Sequence, residues 1–243
     1  LDNLEYFCMA KFGIDPSGRF AYIEDYFMRM RYLQIEIFFP FAMSVLAAHD
    51  ENLINEKDVK NCLDLVRIYF SRRIVCNIAV TSVDRMFATL HRDIRNYQST
   101  DSSANYFEVM KFVFLNRSGA TKLPRYNELE YAIENNNTYW QKKSNVNYIL
   151  ASPGDESKES DIIRRMNSKS AKESNLSIEH VMPQTLNEKY RWVESLGEDW
   201  QRVHEQYLHK LANLTLTGYN SEYSNRSFIE KKTMKNGFND SPL

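Results

Sequence analysis

The stretch SIEHVMPQTL, residues 177–186, sets an acid and an imidazole side by side, Glu179 and His180, three residues ahead of Pro183. An imidazole titrates near neutrality, so at working pH it can take a proton from water. A carboxylate is a hard oxygen donor of the kind Mg²⁺ or Mn²⁺ prefers. The β-branched content of LSIEHVMP reads as a short strand. Pro183 cannot donate to a sheet ladder, so pairing should stop near the histidine and leave it able to face an open site. Glu179 and His180 point to opposite faces of a regular strand; at a strand end that geometry relaxes, and both can reach one site. The partners follow in NLTLTGYNSEYSN, residues 213–225. Asn213, at the edge of a second strand, can hold a loop by side-chain-to-backbone bonds. Asn220 can offer a carbonyl oxygen to a cation, and Gly218 permits a tight turn between them.

Each of these residues also has a plainer reading. A lone histidine in an apolar stretch is more often packed than reactive; the ordered company of Glu179, Pro183, Asn213 and Asn220 is what favours chemistry. His204 and His209 have a zinc-like spacing but no cysteine pair beside them, so they read as helix-surface or packing residues. Arg72 and Arg73 suit phosphate binding and, equally, a helix-surface or intramolecular ion-pair role. Lys231 and Lys232, in EKKTMK, read as a solvated helix face or as contacts to a phosphate backbone.

Positioning these groups falls to a chain of 243 residues, 43% hydrophobic, with only 7 Gly and 6 Pro. That supports one large or two modest domains with real cores and a helical texture. With 26% charged residues, disorder throughout is excluded. The net charge is -1, and residues 151–243 hold 13 Lys and Arg against 14 Asp and Glu, so DNA binding would need local asymmetry. Three unpaired-looking cysteines, Cys8, Cys62 and Cys76, fit a reducing compartment. The most apolar run, Ile35 to Ala48, is too short for a membrane span and contains Pro40; it reads as a buried helix with a kink or a restart there. The stretch DVKNCLDLVRIYF puts Val59, Cys62, Leu63, Val66, Tyr69 and Phe70 on one helical stripe, with Asp58 in the N-cap place. Residues 1–150 therefore read as an all-helical domain and 151–175 as a polar linker or mobile segment. Residues 176–243 read as strand, helical insertion with a break near Gly197, strand, and a helix running to about Lys235. The sequence begins at Leu1 rather than Met, as expected of a piece of a longer protein.

Acid–His, then Asn, then Asn, on strand–strand–helix, resembles the HNH (His-Me finger, ββα-metal) nucleases. More narrowly, IEHVMPQTL followed by HKLANLTLTGYNSEYSNRSFIEKK is similar to the C-terminal nuclease domain of the GmrSD-type modification-dependent restriction endonucleases. Ala212 stands where that family usually has Gly. FFPFAMSVL and YFSRRIVCN resemble the family's helical region. The implied fold is mainly α: a helical N-terminal domain, then a small ββα-metal domain with a helical insertion. The resemblance implies that His180 is the general base, Asn213 orients the catalytic loop, and Glu179 with Asn220 or Asn225 holds Mg²⁺ or Mn²⁺. It gives Lys231 or Lys232 to DNA phosphate. The implied substrate is double-stranded DNA, foreign and modified, in a prokaryotic cytoplasm. The implied partners are a ParB-like nucleotide-dependent N-terminal domain and, for double-strand cutting, a second copy; no membrane is involved. The competing expectations are a DNA-gripping module that does not cut and a helical adaptor of a larger defence protein.

Overall fold

The computed structural model describes residues 2–152, 156–168 and 176–240. The chain divides into two compact units, Leu1–Leu129 and Glu130–Leu243. The first contains α1 (Asp2–Phe12), α2 (Glu24–Leu33), α3 (Phe39–Asp50), α4 (Glu56–Val75), α5 (Asp84–Thr100) and α6 (Tyr106–Leu115). Helix α7 (Tyr126–Asn135) begins in it and ends in the second.

The first unit is built as the 3.6-residue period dictates. Val59, Cys62, Leu63, Val66, Tyr69 and Phe70 of α4 are all buried, as are Met86, Phe87, Leu90 and Ile94 of α5. Phe70 stacks on Phe87 with ring centroids 5.3 Å apart, and Tyr69 meets Phe114 of α6 edge-on at 5.1 Å. Pro40 lies in the first turn of α3, so the proline starts the helix instead of kinking it. The cap of α4 is Asn55, not Asp58: its side chain accepts from the Asp58 N–H at 2.9 Å, which places Asp58 inside the first turn. Arg73 is fully buried and donates to the carbonyls of Ala79 and Ala120, while Arg72 donates to that of Pro124 at 2.9 Å. Of the two readings of this arginine pair, internal clasping is the one the fold uses.

The second unit contains α8 (Lys143–Ala151), α9 (Glu156–Asn167), β1 (Ser177–His180), α10 (Trp192–Leu196), α11 (Trp200–Tyr207), β2 (Leu214–Thr217), α12 (Asn220–Tyr223) and α13 (Phe228–Thr233). Within the 151–175 stretch, α9 is helical; residues 153–155 and 169–175 lie outside the described residues. β1 and β2 pair antiparallel, with Ser177 opposite Thr217, Ile178 opposite Leu216, Glu179 opposite Thr215 and His180 opposite Leu214. Opposed residues share a face, so His180 and Ile178 lie with Leu214 and Leu216, and Glu179 lies on the other side. α8 packs against β2. Gly197, with φ 83°, ends α10 and separates it from α11. Ser227 caps α13 in a capping box with Glu230, and the helix stops at Thr233, two residues before Lys235. The described residues are thus mainly helical with one two-stranded sheet. No helix among them is long and apolar enough to cross a membrane.

Candidate active site around His180

His180 is the last residue of β1, and its ring is held on the Leu214 face. Tyr139, from a 3-10 turn over Thr138–Trp140, meets it edge-on with centroids 4.4 Å apart. The same tyrosine stacks on His209 at 5.3 Å and an interplanar angle of 16°. The Tyr139 N–H donates to the His209 carbonyl at 3.2 Å, which fixes the turn to the segment ahead of β2. His180 Nε2 lies 3.3 Å from His209 Nδ1, and the Gln184 amide nitrogen lies 3.5 Å from His180 Nδ1. Between the two rings one nitrogen donates and the other accepts, and which does so follows the tautomer. Burial first, then the charges of His209, Lys231 and His204, pull the His180 pKa down to about 4. His209 is lowered as well, by burial and then by His204. The imidazole is therefore neutral at pH 7.

Asn213 braces the loop after the histidine. It is buried; its Oδ1 accepts from the Met182 N–H at 2.7 Å, and its Nδ2 donates to the carbonyls of Met182 at 3.0 Å and Leu208 at 2.9 Å. Its own carbonyl accepts from the Val181 N–H at 2.9 Å. One side chain thus ties the segment leaving β1 to the turn before β2. His204 adds a second tie, donating from Nε2 to the Pro183 carbonyl at 2.9 Å.

On the opposite face, Lys231 of α13 is 0% exposed. Its Nζ donates to Glu179 Oε1 at 2.6 Å, to the His180 carbonyl at 2.8 Å and to the Val181 carbonyl at 3.1 Å. Three protons meet three oxygens, so the ammonium is fully used. Burial pushes the Glu179 carboxyl up and the Lys231 ammonium down, each partly offset by the other.

Residues 123–243 match the family model described as GmrSD restriction endonucleases, C-terminal domain. This segment belongs to that family. No curated protein and no solved structure matches the chain. The match spans every residue of the site from Tyr139 to Lys231, so the site lies in a restriction endonuclease-related nuclease domain.

Not all the side chains expected to serve this GmrSD-type site converge on it. Glu179 Oε1 is committed to Lys231. Asn220 Nδ2 donates to the Ile178 carbonyl at 2.9 Å and to Ser177 Oγ at 3.2 Å, pinning the start of β1, whereas His180 stands at its end. The main-chain carbonyl of Asn225 accepts from Trp192 Nε1 at 3.2 Å. Among the described residues no three His, Cys, Asp or Glu side chains gather as metal ligands. As placed, Glu179 and Asn220 do not meet at a common divalent cation. Lys231 cannot reach a phosphate either, because it is fully buried; Lys232 is exposed. Two neighbours of His180 carried little warning in the sequence. His209 precedes Asn213 by four residues, a signal that the zinc reading with His204 obscured. Tyr139 comes from outside the motif altogether.

Proposed function

We propose that the chain is an HNH-type (His-Me finger) endonuclease that hydrolyses DNA phosphodiester bonds, with β1, β2 and α13 as its ββα element. The observation that carries this reading is a neutral imidazole at a strand end, oriented by His209, Tyr139 and the loop that Asn213 braces. His180 takes the proton of a water as the water oxygen forms its bond to phosphorus; the P–O3′ bond breaks, and the 3′ oxygen leaves with a proton from solvent. His209, 3.3 Å from His180 Nε2, holds the ring in place. Lys232, on the exposed side of α13, contacts DNA phosphate. Nucleases of this kind usually depend on a divalent metal. With Glu179 paired to Lys231, Mg²⁺ or Mn²⁺ enters no step derived from these side chains. The biological role in this reading is restriction of foreign, modified phage DNA in a prokaryotic cytoplasm. The chain's partner in this reading is a ParB-like nucleotide-dependent domain, in cis or in trans, and two copies are used where both strands are cut.

One observation favours a second reading, a helical adaptor in which the histidine is only packed: His180 is just 5% exposed. Nicking of supercoiled plasmid separates the two. The parent and His180→Ala are compared in Mg²⁺, in Mn²⁺ and in EDTA. The nuclease reading expects nicking by the parent that His180→Ala abolishes while its melting curve stays cooperative. Equal nicking by both proteins sinks it.

A further inference from the structure

The rings around His180 form a chain that leads outward, and its outer end is uncovered. His180 is buried and Tyr139 and His209 are half-buried, but Trp140 is 68% exposed. The Trp140 and His209 centroids lie 4.7 Å apart, and those of His209 and His180 lie 5.4 Å apart. The turn that carries Trp140 is tied down. Its Tyr139 N–H bonds the His209 carbonyl, its Trp140 N–H bonds the Asn137 carbonyl at 3.2 Å, and the Lys210 ammonium bonds the Asn135 carbonyl. Lys143, exposed, stands three residues on, at the start of α8.

A rigidly mounted, exposed indole with a cationic neighbour has the two features of a single-strand nucleic-acid platform: a π-face for a base and charge for the backbone. We infer that Trp140 stacks on a nucleobase of the substrate strand next to the phosphate presented to His180, with Lys143 facing an adjoining phosphate. The inference rests on the endonuclease reading and narrows its substrate. Inside a duplex, both faces of a base are covered by its neighbours, so a base on Trp140 must first leave the stack. The preferred substrate is then a strand with an unstacked nucleotide beside the cleaved bond, as at a single-stranded gap or a distorted site. The Lys143 charge close behind this turn in sequence is what favours a nucleic acid over an apolar protein partner.

The test uses two labelled probes of equal charge: a twelve-residue oligothymidylate and a twelve-residue phosphodiester strand whose sugars all lack bases. Binding is followed by anisotropy in EDTA, with the full chain. The parent is expected to bind the thymidylate strand more tightly than the abasic one. Trp140→Ala should weaken thymidylate binding by about 5- to 150-fold, the range for losing one base–aromatic stack, and leave abasic binding unchanged. Trp140→Phe should restore most of the loss. Because Trp140 is exposed, all three proteins should melt alike. A Trp140→Ala protein that binds both strands as the parent does, or weakens on both equally, overturns the inference. Plasmid nicking by the parent against His180→Ala is read separately, so failure of the platform is distinguishable from failure of the endonuclease reading.

Discussion

Removing the Lys231 ammonium should destabilise the second unit more than any change to an exposed lysine. Lys231→Met keeps most of the aliphatic stem and deletes the charge. It leaves Glu179 buried without its cation, and it strips a donor from the carbonyls of His180 and Val181. Three hydrogen bonds involving charged groups would sum to roughly 5–9 kcal/mol if they were independent. They share one nitrogen, and measured losses for breaking a buried pair from one side run at about 3–5 kcal/mol, which is the magnitude expected. Domains of this size have roughly 5–15 kcal/mol in total, so the variant should be marginal. Equilibrium urea unfolding of the parent, Lys231→Met, Glu179→Gln and the double variant measures the effect. The double variant should recover much of the loss, because the orphaned charge is then gone. The pH dependence has a definite sign. In Lys231→Met the Glu179 pKa lies above its unfolded value, so the penalty is full above the folded pKa and is relieved as pH falls through it. The gap to the parent should therefore close in acid. A loss below about 1 kcal/mol, or a gap indifferent to pH, would refute the reasoning.

The same geometry sets three further outcomes. Because burial and neighbouring charge hold His180 near pKa 4, its base form persists down the acid limb. His180-dependent nicking, as kcat/KM, should stay flat from pH 7 to about 5 and fall only near 4, whereas a midpoint at 6.5 would show an unperturbed ring. Asn213→Ala removes three side-chain bonds that brace the loop after His180; a stability loss of about 1–3 kcal/mol with nicking reduced more than binding is expected, and unchanged nicking would count against an orienting role. A Cβ at Gly237 would stand 2.6 Å from the Lys231 carbonyl and 2.7 Å from that of Met234, so Gly237→Ala should lower the melting temperature by displacing the end of α13; an unshifted melt would contradict that packing.

The site was legible in the sequence wherever one residue acts through its own backbone neighbourhood. β1 ends at His180 short of Pro183, and the helical insertion breaks at Gly197, because both features are local. Asn213 offered the same kind of signal: an amide at a strand edge has nearby main chain to bond, and it bonds Met182 and Leu208. What failed was the assignment of partners across the fold. Alternation along β1 puts Glu179 and His180 on opposite faces, and the structure keeps that separation at the strand end. Each side then meets a different element. α13 brings Lys231 under Glu179, while the turn at Tyr139 and the segment at His209 close over His180. A lysine on a short basic helix reads as solvated because charge is usually exposed, and only the register between α13 and β1 shows that this one is not. The same separation gives the two halves of the motif different work. The acid before the histidine clamps the helix to the sheet, and the histidine takes its environment from rings outside the motif. Substitutions at Glu179 should therefore be read first in unfolding curves, and substitutions at His209 or Tyr139 first in the pH profile of cleavage.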